Sequence, residues 1–120
     1  MNYFRSISIG THGAVEVLAA PLLVVAPFVL GFGYVAGALS IALGVLLIGL
    51  AVSIYGEGDR GTVPLSAHAG LDQVLAAVTI LVGVALLFTG HTAAAIFMVG
   101  FGSAHLALSA LTRYTRPIGV

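Results

Sequence analysis

Thr11-His12-Gly13-Ala14-Val15-Glu16 comes back 56 positions later as Ala67-His68-Ala69-Gly70-Leu71-Asp72, and each copy opens a long apolar run. A histidine and a carboxylate four residues apart share one helix face, about one turn from each other. Two ionisable pairs therefore stand at the mouths of two hydrophobic segments. The recurrence implies two long helices that begin alike.

Composition sets the medium around them. Of the 120 residues 60% are hydrophobic and 7% charged, with a mean hydropathy of +1.18, where soluble domains carry roughly a quarter charged residues. Such a chain belongs in a membrane, and its length allows a single domain over residues 1–120. Four arginines balance four acids, so no basic cluster exists to recruit nucleic acid, which is excluded as a partner. Cysteine is absent, which removes disulfides, thiolate metal sites and cysteine nucleophiles.

In chain order, Met1 to Ile9 is a short amphipathic lead suited to a membrane interface, with Tyr3 and Phe4 beside Arg5. From about Gly10 to Gly31 the only charged group is Glu16, and at about 1.5 Å per residue this run crosses a hydrocarbon core of roughly 30 Å. A cleaved signal peptide fits it poorly, because such a peptide has a shorter apolar region, and neither the acid at Glu16 nor the prolines Pro21 and Pro27 suit one. Gly31 to Tyr34 reads as a tight turn. A second span follows over about Val35 to Tyr55, then an aqueous stretch, Gly56 to Thr62, holding Glu57, Asp59 and Arg60. Pro64 starts a third span to about Phe88, Thr89 to Thr92 makes another turn, and about Ala93 to Leu111 is the fourth span. The fold expected is all-α: a four-helix transmembrane bundle built from two parallel two-helix repeats.

With four crossings the N-terminus, the middle loop and the C-terminus share one side, and Arg5, Arg60, Arg113 and Arg116 all fall on it. The enrichment of arginine in cytoplasmic segments makes that side cytoplasmic. The offset of 56 also pairs Ala20 with Ala76, Leu30 with Leu86, Gly44 with Gly100, Ser53 with Ser109 and Arg60 with Arg116. It implies a duplicated hairpin, with repeat 1 over about 8–60 and repeat 2 over about 64–116, related by an axis along the membrane normal. In the second and fourth spans, Gly37, Ser40, Gly44 and Ala51, and Ala93, Gly100, Ser103 and Ala107, recur at helical spacing. Stripes of small residues let helix backbones approach closely in lipid. Ser40, Gly44, Gly100 and Ser103 are therefore the expected packing positions.

The chain resembles the small bacterial integral membrane proteins with a Ser-Pro-Trp (SPW) repeat. His12-Gly13-Ala14-Val15-Glu16 and His68-Ala69-Gly70-Leu71-Asp72 match the His-Gly-x-x-Asp-like opening of each two-helix unit, and Ala26-Pro27-Phe28 stands where Ser-Pro-Trp is found. Val82-Gly83-Val84 occupies the equivalent place in the second copy, which is degenerate. The resemblance spans nearly the whole chain and implies a multi-pass protein of the bacterial cell (inner) membrane; the arginines give it both termini in the cytoplasm. It implies no particular activity.

Measured from the cytoplasmic ends, Glu16, Asp72 and His105 lie roughly 10 Å into the membrane, with His12 and His68 nearer the surface. Ionisable groups at such depth face the bundle interior and pair, so these residues are expected to meet, with Thr79 and Ser109 extending the cluster inward. One reading makes them structural clasps, each acid favoured by the macrodipole in the first turns of its helix and each histidine bonding across helices. A second makes His12, Glu16, His68, Asp72 and His105 ligands of a zinc, manganese or iron ion, although the order is His-x-x-x-acid instead of the Glu-x-x-His of di-metal bundles. A third is a proton or ion path, which the apolar far halves of the spans oppose. Haem ligation by His12, His68 or His105 is a fourth, for which no open, flat cleft is evident. His91 reads as a solvated loop residue. Ser66 and Ser109 have histidines nearby, but no nucleophile elbow or phosphate loop is present. The expectation is a non-enzymatic structural or interaction protein without a cofactor, the alternative being a metal- or proton-handling bundle. Its partners are the lipid bilayer and a further copy or another membrane protein.

Overall fold

The computed structural model describes residues 4–55 and 63–115. Tyr3, the aqueous stretch over 56–62 with its Arg60, and Arg116 lie outside the described residues. Four helices follow one another: α1 (Ile9–Leu30), α2 (Tyr34–Val52), α3 (Leu65–Phe88) and α4 (Thr92–Leu111). All are long and apolar enough to cross a membrane, and between 28% and 44% of each span is buried. The remainder presents side chains such as Leu18, Val29, Leu81 and Ile96 outward, a surface that lipid tolerates and water does not. The chain is thus an all-α, multi-pass membrane bundle.

The ends of the helices follow local chemistry. Ser8 caps α1, its hydroxyl accepting the Thr11 N–H at 3.2 Å. Gly31 closes α1 in the left-handed conformation, with φ at 66°, where a side chain would be strained, and its N–H returns to the Pro27 carbonyl. Each proline inside α1 removes a helix donor, yet the helix continues through Pro21 and Pro27. The carbonyl of Leu23, four residues before Pro27, therefore lacks its helical N–H. The Ser40 hydroxyl of α2 donates to that oxygen at 2.6 Å, and Ser40 is fully buried. Ser40 thus satisfies the proline's orphaned acceptor in a medium that offers no water. Replacing Ser40 by alanine is expected to destabilise the bundle by about 1 to 3 kcal/mol, the penalty for an unsatisfied buried acceptor. Ser40→Ala with an unchanged melting temperature in detergent would refute that role.

Packing makes two hairpins, α1 with α2 and α3 with α4, which then meet through less extensive seams. Leu23, Leu43, Leu47, Leu86 and Met98 fill the core, and Phe32 lies against Phe97 with ring centroids 5.9 Å apart. Gly44 sits where expected: a Cβ there would stand 2.9 Å from Leu23 Cβ and 3.2 Å from the Val24 backbone nitrogen.

The expected partners of that stripe in α4 are overturned. Gly100 and Ser103 are exposed, and a Cβ on Gly100 would meet nothing within 4 Å. The close approaches of the second hairpin occur instead at Gly102, whose Cβ would lie 2.9 Å from the Ala76 carbonyl oxygen, and at Gly83, 3.0 Å from the Val99 nitrogen. Buried residues explain the difference. His12, Glu16 and Ala20 of α1 correspond to His68, Asp72 and Ala76 of α3 at an offset of 56. Ala36, Gly44 and Ala51 of α2 correspond to Ala94, Gly102 and Ser109 of α4 at 58. Two extra residues before the second turn rotate a helix position by about 200°, which carries Gly100 and Ser103 to the outer side.

The N-terminal lead is joined to the far end of the chain. Ile7 N–H donates to the Leu111 carbonyl at 3.0 Å and Arg113 N–H to the Ile7 carbonyl at 2.8 Å, an isolated parallel bridge between Ile7 and Thr112. The bridge brings the tail after α4 over the starts of α1 and α3.

Candidate functional site

Because α1 and α3 begin at the same level, their inward faces bring His12, Glu16, His68 and Asp72 together, and the last turns of α4 add His105. All five are buried, between 0% and 6% exposed. The three imidazoles direct Nε2 at the same two carboxylates. His12 Nε2 lies 2.6 Å from Glu16 Oε1 and 2.9 Å from Asp72 Oδ2. His68 Nε2 lies 3.1 and 3.3 Å from those oxygens. His105 Nε2 lies 3.3 Å from Glu16 Oε2 and 3.4 Å from Asp72 Oδ1. One ligand atom from each of His12, Glu16, His68 and Asp72 falls within 4.8 Å of all the others.

Proximity here does not amount to hydrogen bonding. Each Nε2 carries at most one proton, yet each faces two acceptors. His12 Nε2, His105 Nε2, Glu16 Oε2 and Asp72 Oδ1 have no partner in hydrogen-bond geometry, although His68 Nε2 and Glu16 Oε1 do form one hydrogen bond between α3 and α1. Ligand atoms of His12, Glu16, His68 and Asp72 converge, and His105 approaches the other oxygen of each carboxylate, without the alignment that a closed proton network requires.

The surroundings fix the tautomer of His12. Thr112 Oγ1 donates its single proton to the Leu108 carbonyl at 2.6 Å. At 2.8 Å from His12 Nδ1 it therefore accepts, and Nδ1 carries the proton. In neutral His12 the lone pair is then on Nε2, aimed at two carboxylate oxygens. Three acceptors in contact repel one another unless a metal ion, or a second proton on His12, lies between them.

Two members of this site were not anticipated. Tyr114 reaches back over the cluster, its hydroxyl 2.7 Å from Asp72 Oδ2 and 2.8 Å from Ser109 Oγ. Its ring stands edge-on to His12, with centroids 5.2 Å apart. Burial, joined by the bond to Asp72, pushes its phenol well above the usual tyrosine range, so it remains a donor at neutral pH. Thr112 lies on the helical face of His105 and Ser109, seven residues from the former, and that spacing was a readable signal. Tyr114 lies beyond the helix, where periodicity says nothing, and only the bend of the tail brings it in. Ser109 joins the cluster through Tyr114, on the side of the helix end and not inward as expected. Thr79 does not: its hydroxyl donates to the Leu75 carbonyl of its own helix at 2.7 Å. His91 stays in the α3–α4 turn against Thr89.

No family model, curated protein or solved structure matches the chain.

Proposed function

We propose that this chain is a metal-binding membrane protein in which His12, His68 and His105, with Glu16 and Asp72, hold one first-row divalent ion such as zinc, iron or manganese. The observation that carries the reading is the orientation of His12: Nδ1 engaged by Thr112 and Nε2 facing both carboxylates. A metal-ligating histidine commonly donates its other ring N–H to an outer partner, which fixes the ring and its tautomer. Mixed imidazole and carboxylate donors suit these ions, and facing helices of a bundle are a common place for them. Tyr114 and Thr112 supply the outer shell, holding Asp72 and His12 respectively.

A structural clasp is the second reading. It is favoured by the His68 to Glu16 bond, which ties the two hairpins together. In that case a second proton on His12 takes the place of the metal. Conduction across the bilayer has less support. In the halves of the helices away from the cluster, the buried polar side chains among the described residues are Ser40 and Thr79, and each is bonded to a backbone carbonyl. Binding, and not transport or turnover, is the activity proposed.

Elemental analysis of protein purified in mild detergent without chelators tests the reading. About one metal per chain is expected, retained through dialysis and removed by a strong chelator with a fall in melting temperature. A chain that stays metal-free after incubation with zinc, iron and manganese leaves the clasp.

The remaining assignments belong to the same proposal. We place the protein in the bacterial inner membrane with both termini cytoplasmic, supported by the distribution of arginines. Descent from a duplicated hairpin, within the Ser-Pro-Trp repeat family, is supported by the matched openings and by the constant offsets of buried residues within each helix pair. Reporter fusions after Val120 are expected to behave as cytoplasmic. An exported reporter at that position overturns the orientation and puts the cluster at the outer face.

A further inference from the structure

Gln73, the chain's only glutamine, lies on the outward side of α3. It stands about 12 Å from the start of a helix about 36 Å long, and so within a hydrocarbon core of roughly 30 Å. Gln73 is exposed and its side chain forms no hydrogen bond among the described residues. The amide thus presents a carbonyl oxygen and an NH2 group to acyl chains, which satisfy neither. It is too short to reach the interface as lysine or arginine does.

The surroundings of Gln73 leave room for a further helix. Gly70 and Ala77, three residues before it and four after, share its face, and both are exposed. A Cβ on Gly70 would meet nothing within 4 Å. Ser66 continues this face toward the near end of the helix and Leu81 toward the far end, while His68, Asp72, Ala76 and Thr79 are on the side buried in the bundle. Small residues flanking a polar one let two helix backbones come close enough for their side chains to bond. The matching face of α1, 56 positions earlier, carries Val17 in place of Gln73 and Pro21 in place of Ala77. An apolar residue serves the hairpin at this position, so the amide answers to something outside the chain.

We propose that α3 pairs with α3 of a second copy of this chain, the two Gln73 amides hydrogen-bonding across the interface. Chains inserted in the same direction are related by a two-fold axis along the membrane normal, so each residue on the axis meets its own counterpart at the same depth. The amide is complementary to itself, the partly positive NH2 group of one copy facing the partly negative oxygen of the other. The inference goes beyond the metal reading and does not require it, since Gln73 lies outside the face that holds His68 and Asp72.

Energy transfer between chains in phosphatidylcholine vesicles tests the proposal. The chain has no cysteine, so Val120→Cys gives one site for donor or acceptor dye, and transfer is expected to reach the level of a dimer and to fall as lipid dilutes the protein. Gln73→Leu, which keeps the bulk and removes the amide, is expected to weaken association about tenfold, the loss of interhelical hydrogen bonding. Gly70→Ile is expected to abolish it, and Ala14→Ile, at the matching place on α1, to leave it unchanged. Helicity and metal content like the parent's in each variant separate lost pairing from lost folding. Parent chains that stay monomeric at every dilution overturn the proposal, as does Gln73→Leu that associates like the parent. Association lost in Ala14→Ile and kept in Gly70→Ile overturns it in favour of α1. A monomeric parent that co-purifies with another membrane protein, and loses it in Gln73→Leu, means that the amide meets a foreign helix, and overturns the second copy. A dimer of metal-free chains supports this inference and overturns only the metal reading.

Discussion

Asp72→Ala is expected to strip the metal and to lower the stability of the bundle by about 3 to 5 kcal/mol, the scale for removing one partner from a buried charged group. Asp72 meets His12, His68 and His105 within 3.4 Å and receives the Tyr114 hydroxyl, so its loss leaves several polar groups facing an apolar void. Glu16→Ala is expected to act similarly through the same histidines. The two effects should be far from additive in the double variant, because they disrupt one network. Metal affinity should fall by more than the roughly 10- to 100-fold typical of losing an outer partner. Glu16→Gln separates the readings. An amide still bonds to imidazole but is a poor ligand, so under the metal reading it binds no ion and melts as the chelated parent does, whereas under the clasp reading it recovers most of the stability. Alanine variants that match the parent in both melting temperature and metal content would dissolve the site altogether.

Gly102→Leu is expected to destabilise the second hairpin by about 3 kcal/mol, at the upper end of the range for overpacking. A Cβ at Gly102 would approach the Ala76 carbonyl oxygen to 2.9 Å and the Ile80 nitrogen to 3.0 Å, and helix backbone cannot step aside as a flexible side chain does. Gly100→Leu, two residues earlier, is expected to leave stability unchanged, since its side chain enters open space on the lipid side. Thermal melts of the two variants in the same detergent provide the comparison. Should Gly100→Leu prove the more damaging, the rotation of α4 described above is wrong, or that face is covered by a further copy of the chain.

Much of the architecture was readable in one dimension. The apolar runs placed the spans within a few residues, about Gly10 to Gly31 against Ile9–Leu30 and about Ala93 to Leu111 against Thr92–Leu111, because a membrane requires both length and continuous hydropathy. The five members of the cluster were named for an equally general reason: ionisable groups at that depth are costly in lipid and turn inward toward one another. Tyr55 and Ser53 were placed in the second span, yet α2 ends at Val52 and a turn follows. Both sit in the last turn of an apolar run, where hydropathy does not mark the end of a helix.

Rotation and the path of the tail were not readable. Spacing assigns residues to a face of their own helix but does not say which neighbour that face meets. A two-residue difference before the second turn was enough to make Gly102 the contact position in place of Gly100 and to turn Ser103 outward. Ser40 was marked as small, but its bond to the carbonyl left free by Pro27 depends on two helices lying at one height and phase. The same holds for Thr112 and Tyr114, which meet His12 and Asp72 about 100 and 40 positions away. Composition and periodicity alone determined a four-span membrane bundle with a buried His and acid cluster, because solvent chooses between polar and apolar side chains one residue at a time. The tautomer of His12 and the closure over Asp72 arose only on folding, because each depends on the relative position of atoms from different helices, and close packing fixes that position only when all the helices are in place.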